Sequence, residues 1–236
     1  MMRLQRTIKN EITVEGIGLH SGRSVRLSLR PAPRDHGIVF HRKDRAIQVR
    51  ALFNNVIDTA FATTIGIDGV RIRTVEHLLS ALSGLNIDNV LIDIEGPEVP
   101  ALDGSAIGFV ELILKAGIVN QAKKAPYFEV IRPFVYEEPG IKLMAIPLKA
   151  RRFTYNLELA HGPLKKQSIS IDLNEETFLN HIAPARTFGF LKDVEYLRRN
   201  GLALGGSLSN AVVIDNERVL NSEGLRFPDE FARHKV

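Results

Sequence analysis

The order in which two apolar periodicities follow each other constrains the fold of this chain more than any other feature. Apolar residues first recur at even spacings, as at Val25, Leu27 and Leu29, which is typical of strands with one buried face. Over residues 75–82 they recur at helical spacing instead. The same succession of strands and then helices returns after residue 126. The sequence therefore predicts an α+β fold of two similar α/β-sandwich domains with a cleft at their interface.

The boundary between the two halves is predicted from a polar segment at residues 120–126, which is typical of a linker because it contains two lysines and a proline. We therefore expect an N-terminal α+β domain at residues 1–124 and a C-terminal α+β domain at residues 125–236.

Local signals predict individual elements within the halves. Thr74 is the expected N-cap of the first helix, because its hydroxyl can accept a hydrogen bond from a free backbone N–H. Asp68-Gly69 and Asp215-Asn216 are the expected hairpin turns. Strands are expected at residues 128–136 and 153–160, among others.

Composition excludes several classes of protein. The chain has no cysteine, so disulfides, thiolate metal sites and a cysteine nucleophile are excluded, and any metal must be bound by His, Asp or Glu. The net charge of +4 is a mild excess that suits an anionic small molecule, and no basic tract indicates nucleic acid. No secretory signal and no apolar run of membrane-spanning length is visible, so we expect a cytoplasmic protein without stable membrane insertion.

Two histidines far apart in the chain are candidate metal ligands. His77 follows Glu76 on the first predicted helix, where adjacent side chains point about 100° apart and can flank one water, with His77 on a metal and Glu76 beside it. His234 lies on a helix that Pro228 is expected to begin. The alternatives are an ordinary Glu-His pair at a helix start and, for His234 and Lys235, a solvated basic tail.

Two loops in the second half could bind a substrate. Thr187 lies between an arginine and two aromatic residues, and its hydroxyl could donate to a developing oxyanion. The alternative is a turn with two core phenylalanines. Residues 202–207 are small, apolar and flexible, which suits an acyl chain lying along the backbone and equally suits a tight turn.

Several stretches together, in this order, resemble the UDP-3-O-acyl-N-acetylglucosamine deacetylase family, the zinc amidases of lipid A biosynthesis. The resembling stretches are residues 16–22, 29–33, 74–78, 84–89, 102–106, 185–190, 205–207, 218–221 and 224–235. The resemblance covers essentially the whole chain and implies two α+β domains with the site at their interface.

The resemblance also implies a role for each site residue. His77 and His234 would bind Zn²⁺, Glu76 would be the general base that activates water, and Thr187 and Lys235 would stabilise the oxyanion. The substrate would be a UDP-linked acylated amino sugar. The residues implied near its sugar or acyl chain are Phe188, Phe190, Val194, Ala203, Gly206, Ser207, Ala211 and Val213.

In one respect the chain departs from the family pattern. Family members carry an aspartate four residues after the second zinc histidine, and further on a histidine that would protonate the leaving amine, whereas this sequence ends at Val236. We therefore expect this chain to be an impaired deacetylase. Separately, we expect it to be a monomer. The alternative is a truncated or degenerate, inactive relative that still binds a UDP-sugar or an acyl chain.

Overall fold

The computed structural model describes residues 3–158, 166–216 and 218–236 and confirms the α+β class. The strands of the first half are β1 (Leu4–Ile8), β2 (Ile12–Ile17), β3 (Ser24–Pro31), β4 (Ile38–Arg42), β5 (Ile47–Arg50), β6 (Val56–Asp58), β7 (Thr64–Ile67), β8 (Val70–Ile72), β9 (Val90–Glu95) and β10 (Ile118–Lys124). Its helices are a 3-10 turn at Phe53–Asn55, α1 (Glu76–Gly84) and α2 (Ile107–Ala116).

A five-stranded sheet organises this half, with strand order β2-β3-β9-β4-β5. Only β4 and β9 run parallel, and the other neighbours are antiparallel. The even spacing that predicted β3 buries Leu27 and its neighbours on one face, where the apolar faces of α1 and α2 contribute Leu78 and Phe109 to the same core. A smaller sheet, β6-β7-β8, leads directly into α1.

The second half is built from short elements. Its strands are β11 (Phe134–Glu138), β12 (Ile141–Ala145), β13 (Arg152–Glu158), β14 (Lys166–Asp172), β15 (Phe188–Phe190), β16 (Val212–Asp215) and β17 (Arg218–Val219). Its helices are α3 (Glu175–Thr177), a π-helix at Phe178–Ile182, α4 (Leu191–Arg199) and α5 (Glu230–Lys235). Strands β15, β16 and β17 form one small sheet, and β11-β12 and β13-β14 form two antiparallel hairpins.

The two halves share one core rather than meeting at a polar surface. Phe178 and Ala232 from the second half belong to the same buried cluster as the first-half helices. Gly84 shows how close the approach is, because a Cβ there would lie 2.2 Å from the ring of Phe178. The end of α1 therefore docks directly on the second half.

The prediction of a linker at residues 120–126 is wrong. Most of this segment belongs to β10, which pairs antiparallel with β1. Its polar character has a structural reason: the Gln121 side chain donates to the Ala32 carbonyl at 2.8 Å and accepts from the Asn89 amide at 2.7 Å. A buried amide network thus satisfies polar residues that composition alone assigns to a loop. The domain boundary at residue 124 stays a prediction.

Thr74 does not cap α1, contrary to the prediction. The N-cap is Val75, without a side-chain cap, and the Thr74 hydroxyl donates to Glu98 at 2.8 Å. Thr74 also has a φ of 56°, a conformation that costs a β-branched residue about 1–3 kcal/mol and persists only where surrounding contacts enforce it.

Among the other local predictions, the hairpins are confirmed and the bounds of two strands differ from those expected. Both hairpins are confirmed, since β7 pairs with β8 and β16 with β17. The strand expected at residues 128–136 begins only at Phe134, and the strand expected at residues 153–160 runs from Arg152 to Glu158, with residues 159 and 160 outside the described part. No helix in the described ranges is both long and apolar enough to cross a bilayer.

Candidate active site

The structure brings together the two histidines that the sequence singled out. His77 lies in the first turn of α1 and His234 near the end of α5, and their ring centroids are 5.1 Å apart with the planes at 76°. Two nitrogens that each lie about 2 Å from one Zn²⁺ are at most about 4 Å apart. Rings this close, meeting edge to face, can therefore both reach a single cation.

His234 is oriented by a backbone carbonyl. Its Nδ1 lies 3.1 Å from the carbonyl oxygen of Ala185. Because a carbonyl can only accept, Nδ1 carries the proton and the lone pair is on Nε2. Metal-binding histidines are commonly held by this kind of hydrogen bond to the second ring nitrogen.

Both imidazoles are neutral around pH 7. Burial lowers the pKa of His77 to about 3, with the charge of His234 adding to the effect and Asp103 opposing it. Burial likewise lowers the pKa of His234 to about 4, against the Ala185 hydrogen bond. The His77 Nδ1 is buried and has no hydrogen-bond partner in the described residues. Neutral rings with available lone pairs suit a divalent cation.

Glu76 lies beside this pair on α1. Burial raises the pKa of its carboxyl above the usual value, while a hydrogen bond from the Thr63 N–H, at 3.1 Å to Oε2, and the charge of Lys235 act in the opposite direction. A carboxyl held in place with a raised pKa is suited to accept a proton from water.

A buried ion pair fixes the position of α5. Glu230 is fully buried and accepts from Arg186 three times, from the backbone N–H at 2.9 Å, from Nε at 2.8 Å and from Nη2 at 3.2 Å. It also accepts from the Arg226 N–H at 2.7 Å. This pair is not among the residues predicted from the sequence, in which the available signal was a glutamate one helical turn before His234.

Lys235 and Thr187 occupy the same region. The ammonium of Lys235 lies 5.7 Å from the ring centroid of Phe188, and its charge lowers the pKa of Glu76 and of both histidines. The Thr187 N–H donates to the Gly104 carbonyl at 2.7 Å, which places Thr187 next to the turn that carries Asp103.

Asp103 is an acidic residue near His77 that is not among the site residues predicted from the sequence. Burial raises its pKa, but hydrogen bonds from Arg226, at 2.8 Å, and from Ser105 outweigh that effect, so the net shift is downward. It supplies negative charge near His77. Among the described residues no group of three or more His, Cys, Asp or Glu side chains is arranged to hold a metal, so the structure provides a histidine pair.

The residues expected to contact substrate fall into two groups. Phe188 and Phe190 pack against the small core of Val212, Ile214 and Phe231, and Val213 lies on the opposite face of β16. The members on α4 and in the loops around it are Val194, Ala203, Gly206, Ser207 and Ala211.

The loop at residues 203–206 is held against the first half. The Ala203 N–H donates to His20 Nδ1 at 3.3 Å, and the Leu204 N–H donates to the His20 carbonyl at 3.2 Å. The Gly205 N–H donates to the Leu19 carbonyl at 3.0 Å. These contacts place part of the second group beside the Gly-rich loop at residues 18–22.

A histidine pair beside a part-buried carboxyl is an arrangement that suits hydrolysis. Comparison with known proteins indicates a hydrolase. The family model described as LpxC: UDP-3-O-acyl N-acetylglycosamine deacetylase matches residues 5–236, and the chain belongs to this family.

Curated relatives carry the same family name. UDP-3-O-acyl-N-acetylglucosamine deacetylase of Thermodesulfovibrio yellowstonii is 52% identical over 235 residues, covering 100% of this chain and 80% of the relative. The proteins of that name from Oleidesulfovibrio alaskensis and Myxococcus xanthus are 51% and 48% identical, over 98% of this chain in each case and 77% and 74% of the relatives.

Proposed function

We propose that the chain catalyses zinc-dependent hydrolysis of the 2-acetamido group of UDP-3-O-(3-hydroxyacyl)-N-acetylglucosamine, releasing acetate, in lipid A biosynthesis. The observation that carries the proposal is the pair of neutral imidazoles 5.1 Å apart, with the part-buried carboxyl of Glu76 adjacent to His77 on α1. Family membership and the names of the relatives support it.

His77 and His234 would hold Zn²⁺ through ring nitrogens that carry lone pairs. When bound, Zn²⁺ supplies Lewis acidity, which polarises an amide carbonyl and makes water a stronger acid near neutral pH. The Ala185 carbonyl keeps His234 in the tautomer with the proton on Nδ1 and the lone pair on Nε2. Because the pKa values of both rings are lowered, protons do not occupy the nitrogens that would bind the metal at neutral pH.

Glu76 would take a proton from the attacking water as oxygen bonds to the amide carbon. The carbonyl oxygen then gains negative charge, which the Thr187 hydroxyl and the Lys235 ammonium would stabilise. When the C–N bond breaks, acetate leaves and the sugar nitrogen takes up a proton to become the free amine.

The substrate would be held by the second half. Phe188, Phe190, Val194, Ala203, Gly206, Ser207, Ala211 and Val213 would line the sugar and acyl positions, and the positive net charge of +4 suits a UDP-linked ligand. We further propose that the chain acts in the cytoplasm as a monomer.

A second candidate function is binding without turnover. It is favoured by one observation, that the described ranges supply two histidines but no third ligand arranged with them, whereas a catalytic zinc site has three protein ligands. A polypeptide of residues 1–236 would then bind the UDP-sugar or acyl chain while its deacetylase activity is much reduced.

One experiment separates the two candidates. Residues 1–236 and the Thermodesulfovibrio yellowstonii relative are assayed for acetate release from the UDP-linked substrate, with Zn²⁺ added and after chelation. Zinc-dependent release that Glu76→Gln abolishes supports the hydrolase, and measurable UDP binding with no release supports the binding protein. Release that is insensitive to chelation and to Glu76→Gln contradicts the zinc mechanism.

A further inference from the structure

Glu98 is a fully buried carboxylate that belongs to neither the histidine pair nor the oxyanion residues. Its Oε1 accepts from the His20 N–H at 2.8 Å and from the Thr74 hydroxyl at 2.8 Å, and its Oε2 accepts from the Ser21 N–H at 2.7 Å. All three donors are uncharged. A buried carboxylate held in this way joins two segments of chain that are remote in sequence.

One of these segments leads into the catalytic helix. Thr74 is buried in the left-handed region, and Val75, the N-cap of α1, follows it immediately, before Glu76 and His77. The bond from the Thr74 hydroxyl to Glu98 is one of the contacts that hold this backbone conformation, together with the backbone bonds from Arg73 to Pro97 and from Val75 to Thr63 on either side. Glu98 is the acceptor among them that also binds the 18–22 loop.

The other segment supports the loop of the second half that is expected to contact substrate. Glu98 holds the N–H groups of His20 and Ser21, while the carbonyls of Leu19 and His20 accept from Gly205 and Leu204. Gly18 makes this approach possible, because a Cβ there would lie 2.4 Å from Glu98 Oε2. The 18–22 loop thus contacts both Glu98 and the 203–206 loop, and links the position of one to that of the other.

We propose that Glu98 is a positioning residue whose carboxylate sets, at the same time, the orientation of Glu76 and His77 and the position of the loop that carries Ala203 and Gly206. The inference deepens the proposed function, since it is that function that makes these residues the site. The coupling itself rests on the hydrogen bonds alone.

The hydrogen bonds suggest a conservative test by amide hydrogen exchange on the full chain. Glu98→Gln keeps the shape but replaces one oxygen by an NH₂ group, so that at least one of the three donors loses its acceptor. Thr74→Val removes only the hydrogen bond between Glu98 and the residue that precedes the N-cap of α1. Asp93→Asn is the matched control, because Asp93 is a part-buried carboxylate that binds Arg30 and His41 on the far face of the five-stranded sheet.

The reporting amides are those of Thr63, which donates to Glu76, and of Leu204 and Gly205, which donate to the 18–22 loop. Glu98→Gln is expected to accelerate exchange at both groups relative to the five-stranded sheet. Thr74→Val is expected to accelerate exchange at Thr63 only, and Asp93→Asn at neither. Acceleration that is uniform over the chain, or absent at Thr63 in both Glu98→Gln and Thr74→Val, would overturn the proposal.

Cobalt binding provides a spectroscopic readout that a loss of overall stability does not reproduce. Glu98→Gln and Thr74→Val are expected to weaken Co²⁺ binding about tenfold or more and to change its visible absorption, as loss of a residue that orients a metal ligand does. Spectra and affinities equal to those of the unaltered chain would overturn the proposal. If the unaltered chain binds no Co²⁺, the zinc proposal fails, and hydrogen exchange still decides the role of Glu98.

Discussion

Glu230 and His234 lie one turn apart on α5 and hold two neighbouring residues of the same segment. The Glu230 carboxylate accepts from the Arg186 N–H at 2.9 Å, and His234 Nδ1 donates to the Ala185 carbonyl at 3.1 Å. Two such bonds, together with the Arg186 side chain, fix the rotation of this six-residue helix about its axis and its distance from residues 185 and 186. The direction of the other ring nitrogen of His234, Nε2, is a consequence of this attachment.

Arg186→Ala is therefore expected to destabilise the protein strongly. It leaves Glu230 as an uncompensated buried charge, which typically costs about 3–5 kcal/mol. The measurement is the free energy of unfolding from urea titration. The matched control is Arg199→Ala, which removes an exposed i,i+4 pair with Glu195 worth about 0.3–0.5 kcal/mol. Equal losses for the two variants would show that the buried pair does not hold α5.

Glu76→Gln is expected to lower kcat for acetate release by about 10²–10⁴-fold, the usual contribution of a general base. Stability should be kept or rise slightly, because burial disfavours the charged form of this carboxyl. Steady-state kinetics and urea titration measure the two effects, and Zn²⁺ affinity serves as the control that His77 is undisturbed. A variant with normal kcat would remove Glu76 from the mechanism.

The metal-free protein is expected to lose stability as the pH falls from about 6.5 towards 4. The pKa values of His77, about 3, and His234, about 4, lie below the ordinary 6.5, so over most of this window these two imidazoles bind protons in the unfolded chain but not in the folded chain. Each such imidazole contributes a slope of up to about 1.4 kcal/mol per pH unit. His20 and His36, whose pKa values are also lowered by burial, add in the same sense.

Glu76 acts in the opposite sense, since its raised pKa lets the folded chain bind a proton before the unfolded chain does. The measurement is the free energy of unfolding between pH 4.5 and 7 in the presence of a chelator. His234→Gln should reduce the slope, and stability that is flat or rises towards pH 4.5 would contradict the assignment of two neutral rings.

Gly84→Ala tests the docking of the two halves. Alanine favours a helix over glycine by up to about 1 kcal/mol, but its Cβ would lie 2.2 Å from the Phe178 ring, and such overpacking typically costs about 1–3 kcal/mol. We therefore expect net destabilisation in a thermal or urea melt. The control is Gly189→Ala, where a Cβ meets nothing within 4 Å. A more stable Gly84→Ala variant would show that Phe178 moves aside freely.

Local pattern predicted those parts of the fold whose apolar spacing reflects a single buried face. Strand β3 and helix α1 are of this kind, and resemblance to a family indicated that His77 and His234 would share a site. Strand β10 escaped prediction because the polar side chain of Gln121 at its centre is satisfied by Asn89 and Ala32, which are remote in sequence. Thr74 was assigned a local cap for the same reason, since a buried acceptor 24 residues away binds its hydroxyl instead.

The positions of Glu98 and of the Arg186–Glu230 pair were likewise beyond local reasoning. Each residue is an ordinary charged side chain in its own segment, and its importance comes from donors or acceptors that only the tertiary fold brings near. The sequence shows which polar residues are present, but which of them pair with each other depends on how the two halves pack.

His77 and His234 come from opposite sides of the contact between Gly84 and Phe178, so this histidine pair forms only where the two halves pack together. A cation held by both rings, as proposed, would in turn favour the packed state. Metal uptake would therefore report on tertiary assembly, and a change that loosens this contact would weaken chelation without touching either imidazole.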